Sequence, residues 1–139
     1  MATEAPLLHH SQCTAAVNMA AGASLNGFNG SGQFLVMTLV TAGRTVTNAG
    51  ASTVLPVGIL QNDPPLGFVA DIGFLGVTKM INGVAGALAF GAALMTDGSG
   101  RVIVWTTAGT NYAVGYTLEA ATAQNQVVTA VVMPASKSS

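Results

Sequence analysis

His9, His10 and Cys13 are the residues that most resemble a metal cluster, since they lie within five positions of one another. Structural zinc needs four ligands held in a tetrahedron, and no second set of histidines or cysteines follows to complete one. The three are therefore read as part of an N-terminal arm, and no metal ligand is assigned. Cys13 is the only cysteine, so no intrachain disulfide can form.

Other chemistries fare no better. A serine hydrolase needs the elbow G-x-S-x-G and a histidine base; the elbow is absent, and Ser31 and Ser99 stand between glycines as turn residues. Asp63, Asp71, Asp97 and Glu119 could supply carboxylates for acid–base work, but nothing in their spacing joins any two. Asp63-Pro64-Pro65 reads as a rigid connection, because proline fixes φ and removes a backbone donor, and Asp97 reads as a turn residue. Gly30-Ser31-Gly32 is neither a phosphate loop nor a dinucleotide fingerprint, and Asn29-Gly30-Ser31, formally a glycosylation acceptor, reads as a turn. No catalytic or cofactor-binding residue is assigned, no cofactor is expected, and the chain is expected not to be an enzyme.

Aromatic side chains offer a further possibility, a sugar-stacking platform, if Trp105, Tyr112, Tyr116, Phe28, Phe34, Phe68, Phe74 and Phe90 met on one exposed face. Their positions in strand-like runs favour packing instead. Phe34, Phe68, Phe74, Trp105, Tyr112 and Tyr116 are taken as candidate core or interface residues.

The elements that position these residues follow from punctuation. From Gln33 onward, short runs rich in Val, Ile, Thr and aromatics alternate with clusters of Gly, Asn, Asp and Pro. Strands are predicted at 33–40, 44–47, 56–61, 68–74, 76–81, 93–96, 101–106, 113–119 and 126–133. A hairpin is predicted at Asp97-Gly98-Ser99-Gly100, where glycine supplies positive φ. Gln126 to Met133 is apolar on both faces, as expected of a strand covered on each side by core or by a partner. Gly83 to Ala93 could make a short helix, but Gly86 and Gly91 each cost a helix interior about 1 kcal/mol, so it is read as an irregular loop. Val57-Gly58-Ile59-Leu60 is echoed in Val114-Gly115-Tyr116-Thr117-Leu118; this is read as shared barrel chemistry, in which glycine permits a bend or a close approach, rather than as a duplicated half. The first 32 residues lack sustained periodicity. The reading is an all-β fold: a single small β-barrel or sandwich over 33–139, with a short C-terminal tail and an extended irregular arm over 1–32.

Composition bounds what such a fold does. Half of the 139 residues are apolar and only 6% are charged, against an ordinary charged fraction of roughly 25%. A compact monomer of this mass exposes roughly 6,700 Å², which four basic and five acidic residues must decorate. The rest of that surface is Gly, Ser, Thr, Asn, Gln and apolar atoms, and contiguous apolar surface marks contact sites. Arg44, Lys79, Arg101 and Lys137 are scattered and the net charge is −1, so the counterion release that drives nucleic-acid binding has no basis. Val84 to Met95 is too short for a membrane helix, which needs about 20 apolar residues. The first basic side chain is Arg44, so no secretory signal is expected. Extended, the 24 residues before Leu25 would span up to about 80 Å at roughly 3.3 Å each, enough to cross a neighbouring subunit with Leu7, Leu8 and Val17 as anchors.

The run from Pro56 to Met133 resembles the capsid cement or head decoration proteins of tailed bacteriophages. The elements that carry the resemblance are PVGILQNDPPLG (56–67), VADIGFLGVTKM (69–80), LAFGAALMTDGSGRV (88–102) and VGYTLEAATAQNQVVTAVVM (114–133), with 34–53 matching more loosely. It implies a small β-barrel or β-tulip made in the host cytoplasm and carried on the outer surface of the virion. There it would sit as a homo-oligomer, a trimer by family habit, and clamp neighbouring subunits of the major capsid protein. Many members carry more Lys, Asp and Glu than this chain, so docking through salt bridges does not carry over. From a different class, a carbohydrate- or receptor-binding module of a tail fibre or capsid surface also fits an uncharged β domain, and would require exposed aromatics.

Overall fold

Eleven strands and no helix make up the described residues of the computed structural model, which are 8–9, 19–21, 32–40 and 45–137. In chain order the strands are β1 (Leu8–His9), β2 (Met19–Ala21), β3 (Val36–Leu39), β4 (Thr45–Asn48), β5 (Pro56–Leu60) and β6 (Val69–Ala70). They continue with β7 (Ile72–Ile81), β8 (Ala93–Thr96), β9 (Val102–Val104), β10 (Tyr112–Thr117) and β11 (Val127–Lys137). They form one curled sheet, an antiparallel half-barrel in the order β6-β2-β4-β3-β5-β7-β11-β10-β8-β9, with β1 on β7. The exception to antiparallel pairing between strands is β2 against β4. Gly83 to Ala92 forms no helix; Leu88 bridges to Ala121 instead.

The sheet buries both its sides around Val36 and Met37 of β3, Ile59 and Leu60 of β5, and Met80 and Ile81 at the end of β7. Successive residues of a strand point to opposite faces. Val36, Ile59 and Met80 accordingly join one apolar cluster, with Leu88, Leu94, Val102, Val114 and Val128. Their neighbours Leu35, Met37, Leu60 and Ile81 join a second, with Val46, Ala70 and Ile72. Phe34 packs against both.

Strand bounds differ from expectation at several places, and β11 runs on to Lys137 where a short tail was expected after Met133. The predicted strand 76–81 continues backward without a break to Ile72, because Gly76 lies inside the strand at φ 121° rather than ending it. The predicted irregular arm contributes β1 and β2, which pair with β7, β4 and β6.

The glycine echo proves to be part of a repeat in the pairing itself. From β4 to β9 the strand order reads the same from either end once β3, β4, β5 and β7 are matched with β8, β9, β10 and β11. Backbone hydrogen bonds recur with it. Phe34 N donates to Leu60 O (2.7 Å) and Leu60 N to Leu35 O (3.0 Å); Gly91 N donates to Thr117 O and Thr117 N to Ala92 O, both 3.0 Å. Ala49 N to Val36 O and Trp105 N to Ala93 O are both 2.8 Å, as are Gln61 N to Asp71 O and Leu118 N to Thr129 O. Phe34 even holds a left-handed φ of 70°, where its counterpart Gly91 has 73°. The matched strands β7 and β11 are antiparallel neighbours, as a two-fold axis between them requires.

Gly58 and Gly115 occupy equivalent places, at φ 152° and 153°. A Cβ on Gly58 would lie 2.5 Å from Gly73 O, and one on Gly115 would collide with Val131 O. Gly58→Ala and Gly115→Ala are each expected to destabilise by more than about 2 kcal/mol through strain and backbone collision. Gly86→Ala, whose Cβ meets nothing within 4 Å, should stay within about 0.5 kcal/mol; urea denaturation of the three variants checks the ranking.

Candidate docking surface

Of the residues singled out as possible chemistry, Asp97 and Asp63 are engaged by nearby backbone and side chains. Asp97 closes the β8–β9 hairpin: Oδ1 accepts from Ser99 N (2.8 Å) and Arg101 N (2.9 Å), and Oδ2 from Arg101 Nε (2.7 Å). Asp63 Oδ1 accepts from Gly32 N at 2.8 Å, tying the connection at Pro64 to the start of the first repeat. Both carboxylates thus serve turns and loops. Among the described residues no group of three His, Cys, Asp or Glu side chains is placed to hold a metal, and no helix is long and apolar enough to cross a membrane. His10 and Cys13 lie outside the described residues.

The six candidate aromatics are dispersed. Phe34 bridges the two core clusters, and Phe74 lines an open apolar cleft of about 400 Å³. In that cleft the equivalent residues Val57 and Val114 meet, with Val132 and Met133 beside them. Tyr112 lies under Lys137, whose Nζ is 5.8 Å from the ring centre. Phe68 is exposed, in the chain just before β6. Trp105 is half-buried, and its indole nitrogen is buried without a hydrogen-bond partner among the described residues. Tyr116 stands exposed on β10.

Of the arm candidates, Leu8 is paired with Leu75 through β1. Leu7 and Val17 lie outside the described residues.

What the fold does bring together is an apolar outer face on β7, β11 and β10. Val77 pairs with Val131, Val131 with Tyr116, and Tyr116 with Ala93; cross-strand partners share a face, so these four form a row across the sheet. Leu75 extends it by strand alternation along β7. Leu75, Val77, Tyr116 and Met133 are each about two-fifths exposed. Lys79 is the charged residue next to this row, and its Nζ donates to Thr129 Oγ1 at 3.2 Å. On the other side of the same strands, Met80, Val128, Ala130 and Val132 are buried. The expectation of a β11 covered on both sides therefore holds for the inner face alone within this chain.

The sequence signal for this face was the unbroken apolar run 126–133. What the sequence did not show was its partner strand, because Leu75 and Val77 alternate with Gly76 and Thr78 in an ordinary half-buried pattern.

An apolar strip of this kind commonly marks a contact site. The model of the phage cement protein family matches residues 30–133, most of the chain. This chain belongs to the phage cement protein family. The matched span takes in both repeats, and β1 and β2 precede it. Its role is accordingly structural, in the phage capsid. Among solved structures the chain is similar to the head fiber gp8.5 N base of bacteriophage phi29, at 19% identity and a TM-score of 0.53, over 85% of this chain and 89% of that one. At that identity the likeness establishes the shared all-β fold. No curated protein matches the sequence.

Partial exposure of the outer face of this cement protein predicts that folding depends on it far less than on the inner face. Val77→Thr and Tyr116→Thr keep strand-compatible side chains and should each change stability by about 1 kcal/mol or less, whereas Met80→Ala on the inner face should cost about 2–5 kcal/mol. Equilibrium urea unfolding of the purified variants measures the contrast.

Proposed function

We propose that this chain binds the outer surface of the assembled capsid and stabilises contacts between subunits of the major capsid protein, acting as a homo-oligomer whose expected form is a trimer. The observation that carries the reading is the apolar row Leu75, Val77, Val131 and Tyr116, partly exposed among the described residues of a family member with only 6% charged residues. Apolar area left in water costs roughly 25 cal/mol per Å², so covering this row against a capsid subunit or a second copy supplies the driving force. Few charges on the chain mean that docking depends little on salt.

The action is mechanical. Each contact can be weak, because copies engaged at several points of a repeating lattice bind far more tightly than one contact would. The interface area then adds to the barrier that separating capsid subunits must cross. The arm, with Leu7, Leu8 and Val17 as its apolar anchors, and the aromatics Phe68, Trp105 and Tyr116 are the further proposed contacts.

A glycan-binding role has less support. Tyr112 is occupied by Lys137 and Trp105 is half-buried, while Tyr116 and Phe68 stand on different elements, so these four make no flat aromatic platform.

Wild-type protein should co-sediment with assembled capsids of its phage, and the double variant Val77→Asp/Tyr116→Asp should lose binding by at least tenfold while keeping its far-UV circular dichroism. Unchanged binding by the folded double variant would sink the outer-face reading. Light scattering behind size exclusion should give a mass three times that of the chain.

A further inference from the structure

The two repeats carry matched loops of opposite chemistry. Asp71 and Thr129 are matched residues, since Gln61 N donates to Asp71 O as Leu118 N does to Thr129 O. Counting back from each along the chain, Ala70 meets Val128, both buried, and Val69 meets Val127, 46% and 43% exposed. Gly67 then meets Asn125, and both hold a left-handed φ, 81° and 65°. Their neighbours differ. In the second loop these are Gln124 and Gln126, each engaged within the chain: Gln124 Nε2 donates to Gly83 O at 2.9 Å, and Gln126 Oε1 accepts from Thr122 N at 3.0 Å. In the first loop they are Leu66 and Phe68, 60% and 65% exposed. The second repeat builds the matched loop with polar residues at these places, so the fold itself does not call for Leu66 and Phe68 to be apolar.

The apolar pair is firmly held. Phe68 N donates to Pro65 O at 3.1 Å, closing a turn over Pro65-Leu66-Gly67-Phe68 whose third residue has the positive φ that a type II turn requires. Asn62 clasps the loop: Nδ2 donates to Val69 O and Oδ1 accepts from Asp71 N, both at 2.9 Å. Asp63, the charged residue of the loop, accepts from Gly32 N. A preformed apolar projection loses little freedom when it is bound. A complement to it exists on the same chain, the cleft of about 400 Å³ between the repeats, whose lining carries no charged residue and whose half-exposed members are Leu39 and Met133. Leu39 lies beside the start of β5, where Thr38 pairs with Pro56. The loop follows the end of β5, so the 5 residues of that strand, about 17 Å, stand between a chain's projection and the mouth of its own cleft.

We propose that the turn 65–68 of one copy inserts Leu66 and Phe68 into the apolar cleft of a second copy. Each chain has one such projection, because the matched loop is polar, and one such cleft, because Val57 and its equivalent Val114 share it. A contact between two different patches runs head to tail and closes into a ring when the rotation allows. Area favours the ring over an open pair. The two side chains offer on the order of 250 Å², and an equal area of cleft brings one contact to roughly 500 Å², well below the roughly 1,200–2,000 Å² of a stable pair. In a closed ring every copy is held at both its projection and its cleft, and the outer row on β7, β11 and β10 is left for the capsid. The inference rests on the homo-oligomer proposed above and names its contact.

Leu66→Gln/Phe68→Gln gives the first loop the residues of the second. Sedimentation equilibrium of the full-length protein across a concentration range tests the contact, with far-UV circular dichroism as the check on folding. The wild type is expected at three times the mass of the chain and the double variant at the mass of one, its midpoint of assembly moved at least tenfold higher in concentration. Leu39→Asp, at the mouth of the cleft, should do the same from the other side of the contact, and it carries the test should the loop variant fail to fold. Gln124→Ala/Gln126→Ala, the matched change in the polar loop, should keep the wild-type mass. A folded Leu66→Gln/Phe68→Gln or Leu39→Asp protein that still sediments as three chains overturns the contact and leaves the oligomer standing. Loss of the trimer in the polar-loop control overturns the contact as well. Wild-type protein at the mass of one chain at every concentration overturns both the contact and the trimer, while capsid binding is read separately by co-sedimentation.

Discussion

The antiparallel ladder between β7 and β11, from Val127 against Ile81 to Val132 against Gly76, is the contact on which the rest depends. It joins the two repeats along their common axis. It also places Met80, Val128, Ala130 and Val132 in the larger core while turning Val77 and Val131 outward. A one-residue slip of this register would send every inward side chain to the surface, so the composition of the core and that of the docking face are set by the same pairing. The two glycines that let neighbouring strands approach, Gly58 and Gly115, flank the ladder at matched positions, and each could be exchanged for a side chain only by moving the carbonyl that faces it.

Charge poverty gains a physical meaning from this geometry. A sheet whose outer face carries so little charge gives up much of the usual defence against association, and this chain gives it up across the middle of the sheet rather than at an edge. Association through such a face would be governed by apolar burial and shape, which suits the proposed capsid contact in varied ionic conditions. The salt bridge between Arg101 and Asp97, at 2.7 Å, stabilises a hairpin and is directed within the chain.

Much of the barrel was legible in the sequence because its strands are short, apolar and separated by turn residues. The β8–β9 hairpin follows from Asp97-Gly98-Ser99-Gly100, whose aspartate and glycines meet the local demands of the turn, and β8 falls at 93–96 as predicted. The arm strands were not legible. β1 and β2 are two and three residues long, and their partners at Leu75, Ala70 and Thr45 are distant in the chain, so no local periodicity marks them. The continuity of β7 was hidden by Gly76, which reads as punctuation yet sits inside a strand. The repeat showed only as a valine–glycine echo, because hydrogen-bond positions recur while side chains such as Phe34 and Gly91 do not. As for the docking face, the run 126–133 pointed to β11, but the pairing of Val77 with Val131 and of Val131 with Tyr116 depends on a register that only the fold supplies.

The central claim is that apolar contact through this face makes a capsid harder to take apart, and the most direct measurement is the temperature at which assembled capsids release their DNA, followed by dye fluorescence. Capsids saturated with the wild-type protein are expected to open several degrees higher than bare capsids, and capsids mixed with Val77→Asp/Tyr116→Asp protein at the bare value. Saturating wild-type protein that binds yet leaves the release temperature unchanged would contradict the account.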